Sequence, residues 1–136
     1  MKKIILLIFF ISVTLISCVS NNNNIENRKW YLIEIEGDIE ISVLNEKEPY
    51  IELDLASHKI SGNASCNNFF GDYFIEDDSI DFGSLATTML ACPDTNNQEY
   101  RFLQALDRIE TFKLEDDMLY LYEGDNPILI FSSLNK

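Results

Sequence analysis

The chain has 136 residues, which is enough for one domain but not for two. It carries 23 acidic residues against 10 basic ones, a formal net charge of −13. Because the phosphates of nucleic acids and the headgroups of anionic lipids repel so acidic a domain, the charge argues against binding to either of them.

The first 17 residues have the pattern of a bacterial lipoprotein signal peptide. Two lysines precede the apolar run 4–16, which is shorter than the about 20 residues that a transmembrane helix needs. The run ends in Leu15-Ile16-Ser17-Cys18, the spacing of a lipobox. We predict cleavage before Cys18 and lipidation of that cysteine, which would anchor the protein in the cell envelope, at the outer membrane of a Gram-negative cell. The alternatives are an uncleaved signal anchor and a simple secretory signal.

Cleavage at this site would leave 8 basic and 23 acidic residues, a formal charge of −15. The segment 18–27 is polar, rich in asparagine and without hydrophobic period, so we predict a flexible tether. A coil of this length reaches roughly 15–18 Å, enough to hold a domain just off a bilayer. The folded domain is expected at 28–136.

The domain is predicted to be α+β. Runs of β-forming or alternating residues give about eight short strands, and only one stretch, 95–109, has helical period. We expect a bent antiparallel sheet or a small barrel that is closed by this helix. The strand-like runs fall at 30–35, 39–43, 50–55, 58–60, 69–75 (broken by Gly71 and Asp72), 80–82, 112–114, 119–122 and 128–131.

The helix is predicted from apolar residues on one face. Phe102, Leu106 and Ile109 follow the i, i+4, i+7 spacing, and Ala105 lies between them. Thr95 and Gln98 have the spacing of a capping box, and Glu99 would place negative charge in the first turn.

No catalytic, metal or cofactor set is predicted. The only histidine, His58, lies in a polar context typical of a surface residue, and a zinc site would need more ligands. Abundant carboxylates leave a paired-acid glycosidase open by composition, but such enzymes usually need a larger scaffold with a deep cleft. We therefore expect no enzyme activity, no cofactor and no metal.

The stretch SGNASCNNFFGDY at 61–73, the stretch LATTMLAC at 85–92 and the helix that opens with Glu99 together resemble the META/HslJ family. The resemblance covers about 28–133, and the chain departs from it at Ala64-Ser65, where a glycine is expected. It implies a compact β-rich envelope protein, associated with stress response and in some members with motility, and it supplies no catalytic residues. The positions that carry it are Trp30, Gly62, Cys66, Asn67, Gly71, Tyr73, Thr87 or Thr88, Cys92, Glu99 and Leu106.

Three cysteines are an odd number for a secreted protein. If Cys18 carries the lipid, Cys66 and Cys92 remain, and we predict that they form a disulfide in an oxidising compartment. Two separate buried thiols are the alternative. Asn67 and Asn68 are interpreted as turn residues that cap local backbone groups.

Two functions remain open at this point. The first is a non-enzymatic accessory protein that acts by contacts with an envelope protein, in which case Phe69 or Phe70 would stay exposed instead of joining the core. The second is a binding module for a small ligand, which would need a pocket of roughly 300 Å³ or more.

Overall fold

The computed structural model describes residues 24–38, 40–44, 46–93 and 97–134. The predicted signal peptide and Cys18 lie outside these residues, so the lipidation of Cys18 stays a prediction. The described residues form nine strands and one helix: β1 (Lys29–Ile35), β2 (Tyr50–Asp54), β3 (Lys59–Asn63), β4 (Asn68–Glu76), β5 (Ser79–Phe82), β6 (Ala86–Thr87), α1 (Gln98–Leu106), β7 (Thr111–Glu115), β8 (Met118–Glu123) and β9 (Asn126–Ser132).

The strands form one antiparallel sheet that closes into a ring. The order is β3-β2-β1-β9-β8-β7-β5-β4-β6, and an additional pairing of β3 with β4 closes it. The predicted α+β class, with about eight strands and one helix, is confirmed. Two details differ from expectation: β4 runs unbroken through Gly71, whereas Ile41 and Val43, from the predicted strand 39–43, lie outside any strand.

The core fills the inside of the ring. Alternation places one face of each strand inward, as in β2, where Ile51 and Leu53 are fully buried. Helix α1 packs against β1 and β9. The ring of Phe102 meets that of Phe69 edge-on with centroids 5.8 Å apart, and it lies 6.0 Å from the ring of Phe131. Phe69 therefore belongs to the core.

The helix begins later than the sequence pattern indicates. Its N-cap is Asn97, which has a left-handed backbone (φ 54°) and no capping side-chain hydrogen bond. The predicted capping box is wrong because the Gln98 amide bonds to other parts of the chain; Thr95 lies outside the described residues. Ile109 is buried but follows the helix. Among the described residues, no helix is long and apolar enough to cross a membrane.

The end of the predicted tether belongs to the folded domain. Ile25 is fully buried, and its carbonyl oxygen accepts a hydrogen bond from the Trp30 indole N–H at 2.8 Å. Asn27 donates its backbone N–H to Leu53 at 2.7 Å and accepts from the Leu55 N–H through its side chain at 3.1 Å. Residues 25–27, at the end of the predicted tether, therefore contact the ring.

Candidate functional site

The turn between β3 and β4 is where the residues of the resemblance meet. The Ala64 N–H donates to the Asn67 carbonyl oxygen at 2.8 Å, which closes the turn. Ser65 has φ 104°, a conformation that favours glycine. This explains why a glycine is expected at this point, and the Ser65 N–H is held by the Asn63 side chain at 3.0 Å.

Asn67 holds the distant segment around Leu90 through both ends of its side-chain amide. Its Oδ1 accepts hydrogen bonds from the Leu90 N–H at 2.7 Å and from the Thr88 hydroxyl at 2.8 Å. Its Nδ2 donates to the Leu90 carbonyl oxygen at 3.2 Å and to Glu99 Oε1 at 2.8 Å. The interpretation of Asn67 as a residue that caps local backbone groups is therefore wrong, since the partners of its side chain lie on two distant parts of the chain, the segment 88–90 and Glu99.

Glu99 ties the helix to the same turn. Its Oε2 accepts the Asn67 backbone N–H at 2.7 Å and that of Cys66 at 3.3 Å, while Oε1 takes the Asn67 amide. The carboxylate thus satisfies three donors, and hydrogen bonds to a charged acceptor are the stronger kind. Its role is to fix the turn against the first turn of α1, in addition to the predicted effect on the helix dipole.

Gln98 fastens a second loop to the helix. Its Oε1 accepts the Ser42 N–H at 2.7 Å, and its Nε2 donates to the Ser42 carbonyl oxygen at 2.9 Å and also contacts the Ser65 hydroxyl oxygen. Gln98 is buried, so these bonds offset the cost of removing its amide from water.

Cys66 and Cys92 are joined by a disulfide in the structure. Their Cα atoms are 6.2 Å apart, within the range that a disulfide spans. The disulfide and the Asn67 hydrogen bonds join the same two parts of the chain. The segment before the helix is therefore attached to the β3–β4 turn both covalently and through Asn67.

A groove of about 290 Å³ lies over this junction. We call it the disulfide groove. Three apolar side chains at or beside it project into solvent: Met89 is 94% exposed, and Leu90 and Tyr100 are each 66% exposed. Its lining residues include Leu44, Cys66, Leu90, Cys92, Pro93, Glu99 and Tyr100. The groove can offer apolar contact to a partner, because its main carboxylate is already bound to backbone and amide donors.

Two other positions of the resemblance, Gly62 and Tyr73, support the ring. A Cβ atom on Gly62 would lie 2.3 Å from the Tyr50 carbonyl oxygen and 2.5 Å from the Phe69 ring. The buried Tyr73 hydroxyl contacts the Glu26 carboxylate and donates to the Asp54 carbonyl oxygen at 3.2 Å. Burial and the negative Glu26 carboxylate raise the pKa of Tyr73 well above its usual range.

Other candidates for chemistry lie outside the disulfide groove. His58 is an exposed residue of the β2–β3 turn, and its ring lies 6.1 Å from that of Tyr73. A wider concavity of about 900 Å³ borders β7 and is lined by Asp77, Asp78 and Asp125. Across the part of the chain that the structure describes, no group of three histidine, cysteine or acidic side chains is placed to hold a metal ion.

The META domain family profile matches residues 23–136. The chain belongs to the META domain family. The match begins before Ile25, in agreement with the packing of 25–27 onto the ring of this META domain. No protein of curated function matches the sequence.

Solved structures share the fold of this META domain. A protein from Burkholderia xenovorans, solved by NMR, superposes with a TM-score of 0.62 at 22% identity over 79% of this chain and 81% of that one. A crystal structure of a DUF4847 family protein from Bacteroides vulgatus gives a TM-score of 0.50 at 16% identity over 65% and 60%. At these identities the similarity concerns the fold alone.

Sequence reasoning found some of the residues at this site and missed the roles of others. The sequence predicts the pair Cys66 and Cys92. It also singles out Asn67 and Glu99, but it does not predict the hydrogen bonds between these two residues. It missed Gln98 as the residue that binds Ser42, and it missed Leu90 as the backbone that Asn67 holds. Of the two aromatic residues left open, Phe69 is core, whereas Phe70 is 58% exposed.

Proposed function

We propose that this META domain protein is a lipid-anchored protein of the cell envelope that acts by contacts with another protein, made at the disulfide groove, and without catalysis. The observation that carries the proposal is the exposure of Met89, Leu90 and Tyr100 beside the junction held by the disulfide and by Asn67. Exposed apolar clusters of this kind typically mark interaction sites. A role in the response to envelope stress is part of the proposal.

The position of the groove relative to the N-terminal segment supports this function. The chain enters the fold at 25–27, where Ile25 is buried and Asn27 lies beside Leu53 and Leu55 at one end of β3. The Cys66 turn lies at the other end of that strand, roughly 13–17 Å away for five residues. An anchor on Cys18 would therefore hold the domain by the end that is remote from the groove and leave the groove accessible.

The anchor has its own test. Cys18→Ser should move the protein from the membrane fraction to the soluble fraction. If the variant stays with the membrane, the lipid anchor is wrong, while the proposal for the groove is unaffected.

The contact is tested by photo-crosslinking in living cells. A benzoylphenylalanine placed at Tyr100 should give a discrete cross-linked protein, and Leu90→Asp in the same chain should abolish it. The matched control is the same group at Phe74, an aromatic residue that is 67% exposed on β4 and does not line the groove. Equal adducts from both positions, or none from Tyr100, would contradict the proposal.

A small apolar ligand is a second candidate, because the volume of the groove, about 290 Å³, is near that of the smallest small-molecule sites. A ligand that co-purifies with the protein, is identified by mass spectrometry and is lost in Leu44→Asp would decide for this function over protein contact.

A further inference from the structure

The segment 86–91 begins with strand β6 and reaches the disulfide groove at Leu90, and its inner edge is paired. Strand β6 aligns Thr87 with Phe69, and the Thr88 N–H donates to the Asn68 carbonyl oxygen at 3.0 Å. Two residues further on, Leu90 uses both its N–H and its carbonyl group on the Asn67 side chain. The Thr88 N–H and both backbone groups of Leu90 thus point towards β4 and its turn.

The outer edge of this segment is open. Along an extended strand the backbone groups of successive residues point to opposite edges, so those of Thr87, Met89 and Ala91 face away from β4. Within the described ranges, no hydrogen bond from the N–H of these three residues is formed, and all three are exposed. The chain therefore presents alternating donors and acceptors to solvent over this stretch.

The sequence here has no charge to protect the open edge. Residues 82–93 contain no Asp, Glu, Lys or Arg, although a quarter of the chain is charged (24%). Folded proteins usually protect an exposed edge with charged side chains, proline, a bulge or a covering segment. Along 86–91 the sequence supplies neither a charged side chain nor proline, which is the arrangement that accepts another strand.

We infer that an extended segment of a partner protein binds along Thr87, Met89 and Ala91 as an added β-strand. The inference rests on the proposed function and names the kind of partner. Side chains opposite Leu90 would share the face of the sheet that lines the groove, so apolar residues at alternate positions fit there. The formal charge of −13 attracts a segment with basic ends and repels a second copy of this chain.

The test uses the full chain in detergent and a fluorescein-labelled probe, a short peptide of alternating valine and threonine with a lysine at each end. Binding is measured by fluorescence anisotropy. Two further probes carry N-methyl groups on one or the other alternate set of amides. Strand addition predicts that one methylated probe binds at least about tenfold more weakly and that the other retains binding, because only one set faces the open edge.

Two substitutions of Met89, one as the test and one as its control, examine the same contact from the side of the protein. Met89→Pro removes an outward N–H without breaking an internal hydrogen bond, and the N–H of the preceding Thr88 keeps its bond to the Asn68 carbonyl oxygen. It should weaken binding by about tenfold or more, whereas Met89→Ala should stay within about threefold of the parent protein. A probe with glutamate ends should bind more weakly than the lysine probe at low salt.

Several results would overturn the inference. These are equal binding of both methylated probes, unchanged binding to Met89→Pro, or no binding at about 1 mM probe. A dimer in sedimentation that Met89→Pro converts to monomer would show that a second copy occupies the edge. If Tyr100 still cross-links a partner in cells while Met89→Pro has no effect there, strand addition fails and the proposed function stands. The methylated probes decide the matter on the parent protein even if Met89→Pro fails to fold.

Discussion

The side chain of Asn67 takes the place of a neighbouring strand for Leu90. Its amide oxygen accepts the Leu90 N–H at 2.7 Å, and its amide nitrogen donates to the Leu90 carbonyl oxygen at 3.2 Å. One side chain thus supplies the donor and the acceptor that a strand residue would supply. These two hydrogen bonds hold Leu90 at the disulfide groove. The exposed side chains of Met89 and Tyr100 beside Leu90 give the groove its proposed role.

Loss of the Glu99 charge should weaken the domain. In Glu99→Gln one carboxylate oxygen becomes an NH₂ group that faces the Asn67 donors, so at least one buried donor loses its partner. We expect a loss of about 1.5–3 kcal/mol in the free energy of unfolding, measured by urea denaturation. The matched control is Glu40→Gln, the same change at an exposed loop position, which should stay within about 0.5 kcal/mol of the parent. Equal effects of the two variants would contradict the role of Glu99.

Removal of the disulfide should cost a similar amount. The bridge joins residues 26 positions apart, and the double variant Cys66→Ser/Cys92→Ser should lose about 3 kcal/mol of unfolding free energy. Thiol titration gives an independent check. The Cys18→Ser chain, unfolded without reductant, should show no free thiol, and two reactive thiols would be incompatible with the bridge.

Gly62 should not tolerate a methyl group. Its Cβ would lie 2.3 Å from the Tyr50 carbonyl oxygen, a backbone atom that cannot move without displacing β2. Gly62→Ala should therefore cost about 1–3 kcal/mol or more by thermal or urea unfolding. Gly83 is the control, because the nearest atom to its added Cβ is the Asp72 carbonyl oxygen at 3.6 Å, an ordinary contact. A Gly83→Ala variant as unstable as Gly62→Ala would show that the close approach is not the cause.

The contribution of Tyr73 to the free energy of unfolding should decrease at alkaline pH. Its pKa is raised in the folded state, so the neutral hydroxyl is favoured there, and its contribution is complete below the unfolded pKa of about 10. Above that pH, the difference in unfolding free energy between the parent and Tyr73→Phe should shrink by about 1.4 kcal/mol per pH unit. The measurement is urea unfolding of both proteins from pH 8 to pH 11. If the difference between the two proteins stays constant over this range, Tyr73 is not the group whose pKa is raised by folding.

The elements that could be predicted from the sequence are those with local periodicity. Ile51 and Leu53 alternate along β2, and Phe102 and Leu106 share one face of α1, so neighbours along the chain determine which side is buried. The fold class followed from these patterns. The disulfide followed from the cysteine count and the predicted compartment.

The site itself lacks such a local signal. Asn67 binds Thr88, Leu90 and Glu99, which lie 21 to 32 residues away, and nothing near Asn67 specifies them. The spacing of Thr95 and Gln98 indicated a cap, yet the buried Gln98 amide bonds instead to Ser42, 56 residues earlier. Tertiary contacts of this kind override local motifs because a buried amide must find partners wherever the fold provides them.

Hydrogen exchange at two adjacent amides tests the central claim, that Asn67 pairs the inner edge of the 86–91 segment and leaves its outer edge free. In the parent protein, followed by NMR, the Leu90 amide should exchange slowly and the Met89 amide at nearly the rate of an unfolded chain. Asn67→Ala should abolish the difference. A protected Met89 amide, or a Leu90 amide that exchanges as fast as Met89 in the parent protein, would contradict the account.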